Sequence, residues 1–356
     1  MKKTLFKLMT MAVISTALFS CEKGDDDNNN ETSPSNDGRV YILNEGVWGG
    51  NDAELSRYSA TDNTIANDYF ASKNGRGLGD VANDIEIYGG KMYVVVNCSN
   101  TVEVIDSKTG NSIQQIPLSG KQPREVAFCE GYAYVSCYDK TVVKIDTTTL
   151  SIVAQCQTEG GKCEDLYAHN GYLYVIHAWD QDASGATLYD STLSVINLNT
   201  FTVEEKITIG INGKTIEYIG NDRIMVSCMG NYNDIPSSLS IVNLSSRQVE
   251  KVALEVSNFA IHNDEYAITY SYNWGTGQQV FTKLDLATLS QTVWNYTGSQ
   301  TLVSPYGISI DPATEDIYVT DAQNYQSNGD IYRFDKNGNY IASQECGVGP
   351  SKIVFL

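Results

Sequence analysis

"KMYVVVNCSNTVEVIDSKTG", residues 91–110, holds two short phrases that recur along the chain. The first, Tyr93-Val-Val-Val-Asn97, returns as Tyr134-Val-Ser-Cys137, Tyr174-Val-Ile-His177, Met225-Val-Ser-Cys228 and Tyr318-Val-Thr-Asp321. The second, "VEVIDSKTG", returns as "VVKIDTTTL", "LSVINLNTF", "LSIVNLSSR", "FTKLDLATL" and "IYRFDKNGN". Its Asp or Asn stands at 106, 146, 197, 243, 285 and 335, so the spacings are 40, 51, 46, 42 and 50 residues. β-branched and aromatic phrases repeating at that period are the mark of four-stranded blades stacked around a ring.

Each unit divides into four strands. An inner strand such as "PREVAFCE" ends at a dipeptide that accepts positive φ: Gly89-Gly90, Glu130-Gly131, Asn170-Gly171 or Asn263-Asp264. The "YVxx" strand follows, then the "VIDxxT" strand, then an outer strand such as "SIQQIPLSG". No helical periodicity is expected outside the first residues. Blades two to seven begin near Asp80, Lys121, Gly161, Ile211, Glu255 and Gln300. The first blade, 39–79, has three strands and no inner one, while "GPSKIVFL" at the end is an inner strand without a blade. Closing the first blade with residues 351–356 would remove both sheet edges. The expected fold is therefore all-β, a seven-bladed β-propeller over residues 39–356; a sandwich or barrel accounts for the repeat less well. On these phrases the chain resembles the YVTN-type seven-bladed propellers.

The start of the chain reads as an address. Lys2, Lys3 and Lys7 precede an apolar run, 8–19, that is too short to span a bilayer stably. Residues 1–20 are expected to be a signal peptide, and "LFSC" resembles a bacterial lipoprotein cleavage site with Cys21 as the lipidated residue. Acyl chains there would anchor the protein to a membrane. Residues 21–38 lack apolar side chains and read as a tether. Their acidic start, 22–27, resembles the surface-export signal of Bacteroidetes lipoproteins, which implies an outer-membrane protein facing the exterior.

The formal charge of −19 becomes −22 without the three signal-peptide lysines, which argues against nucleic acid as a partner. Seven cysteines remain besides Cys21; Cys156 and Cys163, either side of a Gly-Gly turn, are the expected disulfide pair, and an odd count leaves at least one thiol unpaired. No cysteine spacing fits zinc. "GRGLG" (75–79) lacks the strand-to-helix context of a phosphate loop, and "DKNGN" (335–339) is a hairpin turn rather than a calcium loop.

Function is sought in the insertions. Blades two and three join their second and third strands by "NCSN" and "CYDK", whereas five blades use "NEGVWGGNDA", "HAWDQDASGATLYDS", "MGNYNDIPSS", "YNWGTGQQ" and "AQNYQSNG". In a propeller these connections share one face with those entering the inner strands, so all five surround one mouth of the channel. They carry Trp48, Trp179, Tyr189, Tyr232, Tyr272, Trp274 and Tyr325 among Asn51, Asp180, Gln181, Asp182, Asn231, Asn233, Gln278 and Asn324. Arg76, Arg124 and Tyr306 lead into inner strands. Flat apolar area with convergent hydrogen-bonding groups suits a ligand mouth; the alternative is that each loop packs its own aromatic residue. His169 and His262 are expected at the surface. His177, at the head of the longest insertion, is expected to face the mouth, as a metal ligand, a base or a plain polar residue. One histidine alone builds no catalytic site, so binding is expected rather than enzymatic catalysis.

The lipoprotein address, acidic tag, seven blades and enlarged aromatic loops together resemble the cobalamin-capturing propellers of gut Bacteroidetes. That resemblance implies a ligand, vitamin B12 or another corrinoid, and a partner, the outer-membrane TonB-dependent B12 transporter. It implies no catalytic cofactor, and no metal bound by the chain unless His177 ligates cobalt. The rival readings are a glycan-binding or adhesion propeller and a purely structural surface protein.

Overall fold

A computed structural model describes residues 39–273, 276–298 and 301–356. Cys21, the tether and Trp274 lie outside the described residues. Those described form seven four-stranded antiparallel sheets and one two-stranded hairpin, Trp179–Gln181 with Thr187–Tyr189. The innermost strands neighbour one another in chain order, from Ala82–Tyr88 round to Pro305–Ile310, and Pro350–Phe355 closes the ring. This is the expected seven-bladed β-propeller. In the first blade the closing strand pairs with the first: Val40 faces Phe355, Tyr41 faces Val354 and Ile42 faces Ile353.

The repeated phrases explain the packing. Blades are covered on both faces, so Met92 to Val96 are all fully buried instead of alternating in and out. Tyr93 and Val95 of blade two pack with Val126, Phe128 and Val135 of blade three, and each neighbouring pair repeats such a cluster. The recurrent Asp closes the turn after the third strand. Asp106 Oδ1 accepts the Thr109 N–H at 2.8 Å and its hydroxyl at 2.7 Å, and Asp146 and Asp285 do the same with Thr149 and Thr288. Asp335 likewise accepts the N–H groups of Asn337 and Asn339, which confirms "DKNGN" as a hairpin turn.

Three expectations need correction. A one-turn helix, Tyr69–Asn74, follows the first blade because Tyr69 and Phe70 fall side by side onto its core; Gly75 ends it at φ 68°. Cys156 and Cys163 are free thiols. The Gly-Gly segment between them is no hairpin: it carries the chain from the outer strand of blade three to the inner strand of blade four. His169 and His262 are buried, not at the surface. His169 stacks on Tyr218 at 4.7 Å and meets Asp222 at 3.2 Å, because the hairpin ends are covered by the next blade.

Candidate functional site

Five inner strands share a local irregularity. Their register shifts just after the first pair, between Ala82 and Asp84, Pro123 and Val126, Cys163 and Leu166, Gly213 and Thr215, and Pro305 and Ile308. Such bulges bend a strand and redirect its side chains. The residue after each first pair is Asn83, Arg124, Glu164, Lys214 or Tyr306, and all five line cavities on the propeller axis.

They stand in a ring and are bonded in two groups, each around one glutamate. Arg124 Nη2 donates to Glu164 Oε1 at 2.6 Å, and Lys214 Nζ donates to the same oxygen at 3.0 Å. The Tyr138 hydroxyl donates to Glu164 Oε2 at 2.7 Å. Across the ring, the Tyr306 hydroxyl and Asn83 Nδ2 donate to Glu45 at 2.9 and 3.3 Å. Burial would raise the Glu164 pKa, but Arg124 and Lys214 hold it down at about 2. Burial pushes Glu45 above the ordinary carboxylate range against the pull of Lys214 and Arg124.

Above the ring is a cavity of about 460 Å³ walled by Tyr138, Trp179, Tyr189 and Tyr232. Tyr138 meets Trp179 edge-on at 6.0 Å, and Tyr189 meets Tyr232 at 6.3 Å. The Trp179–Tyr189 hairpin stands over blade four because the two residues pair directly across it. Below the ring the channel continues as a cavity of about 370 Å³, lined by the charged residues Glu86, Glu125, Asp165 and Lys352 together with Phe259, Ile308 and Phe355. Lys214 and Tyr306 border both cavities.

Of the residues singled out from sequence, Arg124, Trp179, Tyr189, Tyr232 and Tyr306 converge on the upper cavity. Tyr325 sits edge-on to Tyr306 at 5.4 Å, and the Tyr272 backbone N–H is anchored by Ser257 Oγ at 3.1 Å. Trp48 is 82 % exposed and stands apart from that cavity's lining. Arg76 pairs with Glu103 at 2.8 Å on the outer part of blade two, away from the mouth.

His177 is the main correction. Strand Tyr172–His177 runs through it, so its side chain packs within the blade at 0 % exposure. Nδ1–H donates to the Gly161 carbonyl at 2.9 Å, and the Ser194 hydroxyl donates to Nε2 at 2.8 Å. Burial lowers its pKa, which keeps the ring neutral. Neither nitrogen is open to a ligand in the mouth.

Sequence reasoning missed Tyr138, Glu164, Lys214 and Lys162. The available signal was positional: Glu164 and Lys214 occupy the repeat position of Arg124, in "KCED" and "NGKT" against "QPRE". Among the described residues no group of three or more His, Cys, Asp or Glu is arranged to hold a metal ion. No described helix is long and apolar enough to cross a membrane.

Similar propellers occur among solved structures. A quinonprotein alcohol dehydrogenase-like protein from Bacteroides thetaiotaomicron is 17 % identical, with a TM-score of 0.63 over 90 % of this chain and 78 % of that one. A hypothetical selenium-binding protein from Sulfolobus tokodaii is 11 % identical, with a TM-score of 0.70 over 91 % and 94 %. Kuenenia stuttgartiensis hydrazine synthase is 12 % identical, with a TM-score of 0.58 over 88 % and 99 %. At these identities the likeness is one of fold. No curated protein matches the chain. Residues 37–348 match the family described as Domain of unknown function (DUF5074), and the chain belongs to that family.

Proposed function

We propose that this propeller is a ligand-binding surface lipoprotein whose aromatic mouth captures vitamin B12 or a related corrinoid. The observation that carries the proposal is the cavity walled by Tyr138, Trp179, Tyr189 and Tyr232 above a floor of hydrogen-bonding side chains. A corrin presents broad apolar faces and an amide-bearing rim. Aromatic rings can cover such faces while Asn, Gln and charged groups bond the rim. Each well-covered aromatic contributes on the order of 1–3 kcal/mol, so four suffice for tight capture. A whole cobalamin is larger than a cavity of about 460 Å³, so part of the ligand would lie across the loop rim, where Trp48, Leu188 and Ile235 are exposed.

In this reading the chain binds and does not catalyse. Its described histidines are built into blade packing, at His169, His177 and His262. Cys21 would carry the lipid anchor, the acidic tether would take the protein to the outer face of the outer membrane, and a TonB-dependent transporter would receive the ligand. Spectrophotometric titration of the purified protein with cyanocobalamin tests this. Saturable binding at or below micromolar ligand is expected. An unchanged corrinoid spectrum and no retention of the vitamin at that concentration would overturn the proposal, and retention of oligosaccharides instead would favour a glycan-binding propeller.

A further inference from the structure

The upper cavity is lined by two cations, Arg124 and Lys214, and one carboxylate, Glu164, in a chain of formal charge −19. Glu164 serves two cations at once, Arg124 and Lys214, through the same oxygen, and Tyr138 occupies the other. Among the residues lining the upper cavity, cations therefore outnumber carboxylates by one. Arg124 Nε is buried and has no hydrogen-bond acceptor, and two of the three Lys214 ammonium protons remain for a ligand. A further cation, Lys162, packs against two of the wall's aromatic rings without lining the cavity itself. Lys162 Nζ lies 3.8 Å from the Trp179 ring centre and 5.0 Å from that of Tyr138, with no carboxylate in ion-pair range among the described residues. The nearby carboxylates face the lower cavity instead, where Glu45 accepts from Tyr306 and Asn83, Glu125 pairs with Lys352, and Asp165 accepts from the backbone N–H groups of Leu166 and Ile216.

We infer that Arg124 and Lys214, supported by Lys162 packed on the Trp179 ring, form an oxyanion seat inside the aromatic mouth, so that the ligand pairs a planar apolar body with a carboxylate or phosphate ester. This rests on reading the mouth as a ligand site and specifies the chemistry it selects. Flat walls and unspent donors on one side of a cavity favour such a ligand over its neutral or cationic analogue, because a charge-assisted bond forms only with the oxyanion.

The test uses small probes that share one ring: 2-naphthyl phosphate, 2-naphthoate and 2-naphthol, each titrated calorimetrically into the intact protein. The two anions are expected to bind about tenfold or more tightly than naphthol, as charge-assisted hydrogen bonds allow, and comparing them tells phosphate from carboxylate. Lys214→Met, which leaves Glu164 paired with Arg124 and Tyr138, is expected to abolish most of that preference, and Lys162→Met to reduce it. Equal binding of naphthol and both anions overturns the seat, whatever corrinoids do. A preserved anion preference in a protein that ignores cyanocobalamin supports the seat and removes the corrinoid reading instead.

Discussion

Lys352 Nζ lies 2.8 Å from Asp84 Oδ1 and so ties the last strand of the chain to the first strand of blade two. Asp84 is fully buried, and its other oxygen accepts the Val126 N–H of blade three at 2.8 Å. Glu125 and Glu86 stand 3.4 and 3.6 Å from the same ammonium. The closing strand is thus held by backbone pairing on one side and by an ion cluster on the channel side. Removing one partner of a buried pair leaves a charge without compensation. Lys352→Met is expected to lower unfolding stability by about 2–4 kcal/mol, read as a lower urea midpoint. A midpoint within error of the wild type would mean that pairing with Val40 to Asn44 closes the ring unaided.

His177 provides a second check. Its ring fills the blade and satisfies Gly161 and Ser194, so His177→Ala creates a cavity and strands two polar groups. The expected loss is about 2–4 kcal/mol of stability, seen as a reduced melting temperature. The absorption spectrum of any bound corrinoid should be unchanged, since the imidazole does not reach the mouth. A spectral shift in the variant without a loss of stability would contradict this placement.

The fold was legible because it repeats. A period carried by Tyr-Val and Ile-Asp phrases survives variation at single positions, and an orphan inner strand at 351–356 has one economical place to go. The insertions were legible by length, and they brought Trp179, Tyr189 and Tyr232 to one cavity. The floor was not. Glu164 and Lys214 look like ordinary strand residues, and only the bulge that follows each first pair turns them toward the axis. His177 is the converse case: it ends the Tyr174–His177 phrase and also heads the longest insertion, and the strand keeps it, with the imidazole inside the blade.

Trp179 and Tyr232 separate binding from stability. Tyr232 is 60 % exposed, so Tyr232→Ala should cost under about 0.5 kcal/mol of stability. Each of Trp179→Ala and Tyr232→Ala removes a wall of the cavity and should weaken cyanocobalamin binding about 10–100-fold, measured by titration. Full affinity in both variants, with folding intact, would take the mouth cavity out of the binding site.

Glu54 should give the protein an alkaline weakness. Burial first, and then the neighbouring Asp68 carboxyl, push Glu54 from an ordinary 4.5 up to about 8. Its Oε2 accepts the Asp68 N–H at 2.9 Å, and Asn44 Nδ2 approaches Oε1 at 3.4 Å. A carboxyl with a raised folded-state pKa favours folding while it stays protonated, so its contribution is whole below about pH 4.5 and is lost as pH rises through about 8. Glutamine keeps the Asp68 N–H bond through its single carbonyl oxygen, gives up the long 3.4 Å contact with Asn44, and cannot ionise. Glu54→Gln should therefore match the wild type near the acid end of that window and exceed it in stability at pH 8, read from urea midpoints at each pH. Parallel profiles for the two proteins would show that Glu54 ionises normally beside Asp68.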